Sequence, residues 1–383
     1  MYIQLFYIDN GAERMSSGIS EKIMTWQPDE GPGFQIRKLT PDMFGDGFVV
    51  RSSNWLGDAV MSFPALKQLR TILPPHCGLF VLSPAGLAPI YRAMKDVVDQ
   101  VIPLKDAHSF PSKEEYAQMQ HLNAHAGMLF NNSFRDALAM RFGCIKYLYG
   151  AKARHRSILL KRAFPFEKRR DHELNYPHQS AKYLSMVYAI GAEKWDGVMP
   201  QLYPFTAPEK REDNLYTLLE SPHILAIAPG AAYGDGKRWK AVNFKKVAEA
   251  WLEKYSDGVV LALGSKAERN GAGEAVAELD HARAVNLAGT TSLDELMVIL
   301  KRAHQCVAND SGIMHLSAAL GSSGVAVFGS TDPAATAPLS QKWTMLYDKL
   351  PCSPCFKRDC PLGTKACLDL ITPDDVKRVL GLI

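Results

Sequence analysis

No run in this 383-residue chain approaches the roughly 20 consecutive apolar residues that a membrane-spanning helix needs. A helical membrane protein is therefore not expected. The first residues, MYIQLFYIDNGAERM, have neither a basic start nor a clean apolar stretch, so no signal peptide is expected. Charge of one sign is also scarce. A net charge of +4 argues against a general nucleic-acid binder. Cysteine is sparse, with seven in all. Cys77, Cys144 and Cys306 are scattered in apolar surroundings and read as free thiols of a reducing compartment. There is no short repeat, no low-complexity segment and no P-loop spacing.

What is present is the composition of a soluble globular protein, 47% hydrophobic and 22% charged, on a chain long enough for two domains. Residues 1–47 mix Gly, Pro and polar residues and read as an N-terminal extension with little order and no assigned role. From Phe48 the pattern alternates strand and helix: a strand at 48–51, a helix at about 59–73 stopped by Pro74 and Pro75, and further strands at 79–83, 98–103 and 126–131. This first domain spans 48–200. Residues 201–222, rich in proline and charge, read as a linker. The alternation restarts over 223–383, with strands at 223–228, 259–263, 284–286, 305–308 and 324–328. Such alternation predicts an α/β fold: two Rossmann-like domains with mainly parallel, doubly wound sheets.

Ligands of such sheets bind beyond the carboxyl ends of the strands, and the unusual residues fall there. The first loop is RSSNWLGD, residues 51–58. Gly57 permits a tight turn, which leaves Asp58 at or near a helix start. Asp58 either caps that helix or serves as a general base. The second is Asn309-Asp310-Ser311-Gly312-Ile313-Met314-His315. Free N–H groups at a helix start bind phosphate, Gly312 allows close backbone approach, and Ser311 adds a donor. The bland alternative is an ordinary capped helix with a core-packed His315. The third is PGAAYGDGKRW, residues 229–239, where small residues accompany Lys237 and Arg238. It is either a cationic cradle for a departing diphosphate or a flexible basic loop.

Two further clusters stand out. Between Lys152 and Arg170 there are eight Lys or Arg and one Glu, a stretch suited to anionic groups or simply to water. Near the C-terminus, Cys352, Cys355, Cys360 and Cys367 lie within sixteen residues. They are either a structural loop, reduced or disulfide-stapled, or ligands for one zinc ion or an iron–sulfur cluster.

The segments RSSNWLGDAVMSFPALKQLR, NNSFRDALAMRF, PGAAYGDGKRW, LALGSKAE, NLAGTTSLDEL, NDSGIMHLSAALG, VAVFGSTDPAATAPLS and PCSPCFKRDCP occur in this order. As a set, over about residues 48–380, the chain resembles the ADP-heptose:lipopolysaccharide heptosyltransferases, most of all the members that add the second heptose. Residues 1–47 fall outside the resemblance. It implies a GT-B architecture, two Rossmann-like domains facing a cleft, with an acceptor-binding domain over 48–200 and an ADP-sugar-binding domain over 223–383. The matching positions make Asp58 the catalytic base and Lys237 the donor-phosphate lysine. Asp310, Ser311, Gly312 and His315 become the phosphate loop, and Glu268 the donor-ribose carboxylate. On the acceptor side, Asn132, Ser133, Arg135, Arg154 and Arg156 are expected to meet a Kdo-lipid A inner-core glycolipid, whose carboxylates and phosphates suit arginine.

The implied reaction is inverting transfer of heptose from ADP-heptose. No cofactor and no metal at the reacting centre are expected, because a cation and a helix start can stabilise the leaving ADP. The implied location is cytoplasmic, with peripheral contact at the inner membrane surface and no nucleic-acid partner. A transferase using another nucleotide sugar, a non-catalytic glycolipid-binding protein and a sugar-nucleotide epimerase are the rival readings. Donor profiling separates the first, the intact Asp58 argues against the second, and the third would need no lipid acceptor.

Overall fold

The computed structural model describes residues 2–7, 20–25, 31–166, 178–205 and 215–383. Lys168, Arg169 and Arg170 of the basic stretch, and 206–214 of the expected linker, lie outside these. The chain divides into two compact units, Gln27–Pro204 and a unit made of Met1–Trp26 with Phe205–Ile383.

The chain opens with two antiparallel strands, β1 (Tyr2–Tyr7) and β2 (Ser20–Thr25). The Gln27–Pro204 unit then holds β3 (Gly47–Arg51), β4 (Gly78–Pro84), β5 (Gln100–Leu104), β6 (Ala126–Leu129), β7 (Tyr147–Ala151) and β8 (Arg162–Phe164). These pair in the order β5-β4-β3-β6-β7-β8, all parallel. Phe48, Val49 and Val50 are fully buried, as expected of a central parallel strand covered on both faces. A core of Val49, Leu82, Ile102, Leu129, Met140 and Leu148 fills one of its faces.

The second unit continues with β9 (Ile224–Ala228), β10 (Val259–Ala262), β11 (Ala284–Asn286), β12 (Gln305–Asn309), β13 (Ser323–Phe328) and β14 (Trp343–Tyr347). Its sheet runs β11-β10-β9-β12-β13-β14-β1-β2. Within each unit the six consecutive parallel strands have the doubly wound order 3-2-1-4-5-6, whose switch point lies between the first and fourth strands. Those pairs are β3/β6 and β9/β12.

Two sequence expectations change. Residues 1–47 are not one separate extension. β1 pairs parallel with β14 and extends the second unit's sheet, while residues from Gln27 onward belong to the first unit. The helix expected over 59–73 is two helices, Leu56–Met61 and Phe63–Arg70. The Ser62 hydroxyl donates to Ala59 O at 2.7 Å, and Pro64 near the second helix's start has no N–H to continue the first.

Candidate functional site: two sheet switch points

In the first unit, β3 and β6 run side by side, so the loops that follow them open at the same edge. Arg51, the last residue of β3, is buried. It pairs with Asp136 at 3.0 Å and donates to Ser52 O at 2.8 Å and to Asn54 Oδ1 at 2.9 Å. Asp136 also accepts from Asn131 Nδ2 at 2.5 Å. The loop after β3 is thus tied to the helix after β6 by a buried charge pair. Asp58 is the third residue of the helix Leu56–Met61, whose N-cap is Trp55. Asp58 does not hold the capping position; it is a half-buried carboxylate in the first turn.

The expected acceptor residues separate. Ser133 is the N-cap of the helix Phe134–Phe142, its hydroxyl accepting from Asp136 N at 3.1 Å. Arg135 donates to the carbonyls of Ala107, at 2.7 Å, and of His108, and lies 3.3 Å from Asp136. Arg156 is fully buried, donating through Nε to Ala151 O at 2.9 Å and through Nη1 to Asn131 O at 2.6 Å. Burial lowers its pKa to about 10. Arg156 therefore leaves the surface set expected from the basic stretch, because its guanidinium is spent on backbone carbonyls inside the fold. Arg162 is half-buried as well, bonded to Gln35 O at 2.7 Å and Ala189 O at 3.1 Å. Asn132, Lys152, Arg154 and Lys161 remain exposed.

In the second unit, β9 and β12 place the loops Pro229–Trp239 and Asn309–Gly312 together. Lys237 Nζ lies 2.6 Å from Asp310 Oδ2, with both side chains largely buried. Thr331 Oγ1 donates to the same oxygen at 2.7 Å. Asn309 clamps the two loops from below, donating to Pro229 O at 2.7 Å and accepting from Trp239 N at 3.0 Å. Ser311 is the N-cap of the helix Gly312–Ala319 and makes no side-chain cap bond. The hydroxyls of Ser311 and Ser330 are buried with no partner among the described residues. His315 is buried, which pushes its pKa down to about 4; the charge of Asp310 opposes that shift and Lys237 adds to it. The imidazole is therefore neutral near pH 7. Glu268 accepts from Ser265 N at 2.7 Å and from its Oγ at 2.8 Å. It also leans over Gly230, where an added Cβ would come within 2.3 Å of its carboxyl. A side chain at 230 would have to push the Glu268 carboxyl aside.

The sequence profile of glycosyltransferase family 9 (heptosyltransferase) matches residues 117–366. The chain belongs to that family. It is 29% identical over 308 residues to lipooligosaccharide heptosyltransferase 2 of Haemophilus influenzae, covering 76% of this chain and 86% of that one. It is 27% identical over 353 residues to lipopolysaccharide heptosyltransferase 2 of Escherichia coli, covering 88% and 97%. The solved structure of E. coli ADP-heptose LPS heptosyltransferase II superposes with a TM-score of 0.72 at 24% identity, over 88% of this chain and 97% of that one. The fold is therefore the GT-B type expected, and this family 9 chain is a glycosyltransferase. Among the described residues no helix is long and apolar enough to cross a membrane.

The cysteine-rich segment of this family 9 chain is woven into the Lys237 loop. Gly236 N donates to Arg358 O at 2.7 Å, Ser330 N to Gly236 O at 3.1 Å and Phe356 N to Ser330 O at 2.7 Å. Tyr233 Oη donates to Phe356 O at 2.9 Å, and Lys365 pairs with Asp235. Cys352, Cys355, Cys360 and Cys367 line a cavity of about 30 Å³ with Gly236 and Ser330. All four are unpaired thiols in this structure. Among the described residues no group of three or more His, Cys, Asp or Glu is arranged to hold a metal ion.

One residue escaped the sequence reading entirely. Lys182 lies in the helix Gln179–Tyr188, which is buried from Ser180 to Val187. Burial pulls its pKa from 10.5 to about 8; the Asp58 carboxylate acts against that shift and Arg156 adds to it. Holding this ammonium charged inside the fold costs on the order of 3 kcal/mol. A lysine in the middle of a sequence reads as a solvated surface residue, and nothing in YPHQSAKYLSM signals otherwise.

Proposed function

We propose that the chain transfers heptose from ADP-heptose to a heptosyl-Kdo-lipid A inner-core glycolipid in lipopolysaccharide biosynthesis, with inversion at the sugar C1. Asp58 accepts the proton of the attacking acceptor hydroxyl. The hydroxyl oxygen bonds to C1 on the face opposite the diphosphate, and the C1–O bond breaks with its electron pair leaving on ADP. Lys237 and the N–H groups at Ser311 and Gly312 stabilise that charge, so no metal is assigned a role in the step. Glu268 receives the donor ribose. Neutral His315 backs the phosphate loop without adding charge to it. Asn132, Arg154 and, through its still-exposed edge, Arg135 meet the anionic acceptor.

The observation that carries this reading is the Lys237 ammonium held by Asp310 beside an uncapped helix start, at the β9/β12 switch point. A diphosphate oxygen can replace or share the Asp310 contact without rebuilding the loop. The exposed cations Lys152, Arg154 and Lys161 suit an enzyme working at the inner face of the cytoplasmic membrane, where its acceptor is anchored. The test is incubation with ADP-heptose and defined inner-core acceptors, read by mass spectrometry. The expected result is one added heptose and released ADP. Transfer only from other nucleotide sugars, or no transfer, overturns the reading.

A further inference from the structure

A lysine on a helix buried all round needs a reason. Lys182 is 9% exposed. Its Nζ lies 5.8 Å from the centroid of the Tyr183 ring, too far for a hydrogen bond. Its helix packs against the helices Leu56–Met61 and Phe63–Arg70. The charged groups that face it are few. Asp58, on the first of those helices, attracts it, and Arg156, after β7, repels it. The basic residues of the second helix are engaged elsewhere, Lys67 with Asp196 at 2.8 Å and Arg70 with Asp99 at 2.6 Å. Asp58 in turn acts on the buried Tyr91 phenol, whose pKa is raised chiefly by burial. An opposite charge on the helix packed against its own favours the ionised carboxylate, and burial strengthens the effect by removing screening water.

We propose that Lys182 is a positioning residue for transfer, its buried ammonium keeping the Asp58 carboxylate ionised and in place to accept the acceptor's proton. This rests on the reading of Asp58 as the base. The arrangement sets an acid limit: as the pH falls Asp58 takes a proton, and the Lys182 ammonium holds that limit down.

The test is the pH dependence of kcat for heptose transfer in the full-length protein, with the thermal midpoint measured alongside. Variants are Lys182→Met, Lys182→Gln, Lys182→Arg and Asp58→Asn. Lys182→Met is expected to move the acid limb of kcat upward by about 1–3 pH units. KM for ADP-heptose stays unchanged and the thermal midpoint does not fall, because a buried charge has been removed. Lys182→Arg, which keeps the positive charge, is expected to restore the acid limb. Lys182→Gln, neutral and polar, is the decisive variant should Lys182→Met not fold. An acid limb unmoved in Lys182→Met while Asp58→Asn is inactive overturns the role of Lys182 alone. So does activity lost only in step with a lower thermal midpoint. Near-normal turnover in Asp58→Asn overturns the base assignment and this inference with it.

Discussion

The two switch points solve the same topological problem with different chemistry. Each ties the loop after the first strand of its sheet to residues that follow the fourth by a cation–carboxylate pair. In the first unit the pair is Arg51–Asp136, with side chains 1% and 7% exposed. In the second it is Lys237–Asp310, at 14% and 4%. Arginine's planar fork suits a fixed, multiply bonded joint, whereas a lysine ammonium is a compact charge on a flexible stem. The first pair is spent on holding the loop that carries Asp58. The second, on the proposed reading, exchanges partners when the diphosphate binds. The proposed reading thus puts a joint and a ligand contact at equivalent places in two copies of one fold.

The sharpest way to break that comparison is at the residue the first joint supports. Asp58→Ala is expected to lower kcat by about 10²–10⁴-fold with ADP-heptose affinity retained. Near-full turnover in a folded variant would return Asp58 to a structural role. Next comes the joint itself. Asp136→Ala strands the buried Arg51 charge and is expected to cost about 3–5 kcal/mol of stability, read by urea unfolding. Lys237→Ala is the matched test in the second unit. It is expected to cost less stability than Asp136→Ala, because Thr331 still donates to the Asp310 carboxylate, while weakening ADP-heptose binding by roughly 1.5–3 kcal/mol, measured by calorimetry. If Lys237→Ala destabilises as Asp136→Ala does, both pairs are joints and the contrast fails.

A smaller effect follows from His315. Its folded pKa of about 4 lies below the ordinary 6.5, so in that window the unfolded chain binds the proton first. The stability linked to neutral His315 is present above pH 6.5 and declines as pH falls toward 4, by at most about 1.4 kcal/mol per unit. His315→Gln is expected to flatten that slope in urea midpoints compared at pH 7.5 and pH 5. The smallest effect belongs to the exposed basic residues. Changing Lys152, Arg154 and Lys161 together to Gln is expected to weaken vesicle and acceptor binding by up to about 1 kcal/mol per charge, with ADP-heptose affinity unaltered. Unchanged vesicle binding at physiological salt leaves those side chains a solubility role.

The sequence reading succeeded where local pattern reports burial. The runs Phe48–Val50 and Ile224–Ala228 are apolar on both faces because helices cover both sides of a parallel sheet, and the polar loops that follow them mark where the sheet stops. It failed where tertiary context reassigns a residue. Arg156 and Lys182 belong to types that normally reach water, so only the packing of distant elements reveals them inside. Ser133 reads in sequence as an acceptor contact, and only the structure shows its hydroxyl capping the helix Phe134–Phe142. The break at Ser62 was foreshadowed by Pro64, but strong apolar spacing on either side masked it. β1 pairs with β2, the next strand in sequence, but what joins it to the sheet is β14, at the other end of the chain.

The hydrogen bonds between Gly236 and Arg358 also have a consequence for how the protein is made. The Lys237 loop leaves the ribosome well before the cysteine-rich segment that holds its backbone, so it cannot settle while synthesis is in progress. Long-range closure of this kind slows folding. The Lys237 loop is therefore among the last parts to mature, and a nascent chain released before Pro351 would contain Lys237 and Asp310 without the scaffold that shapes their loop.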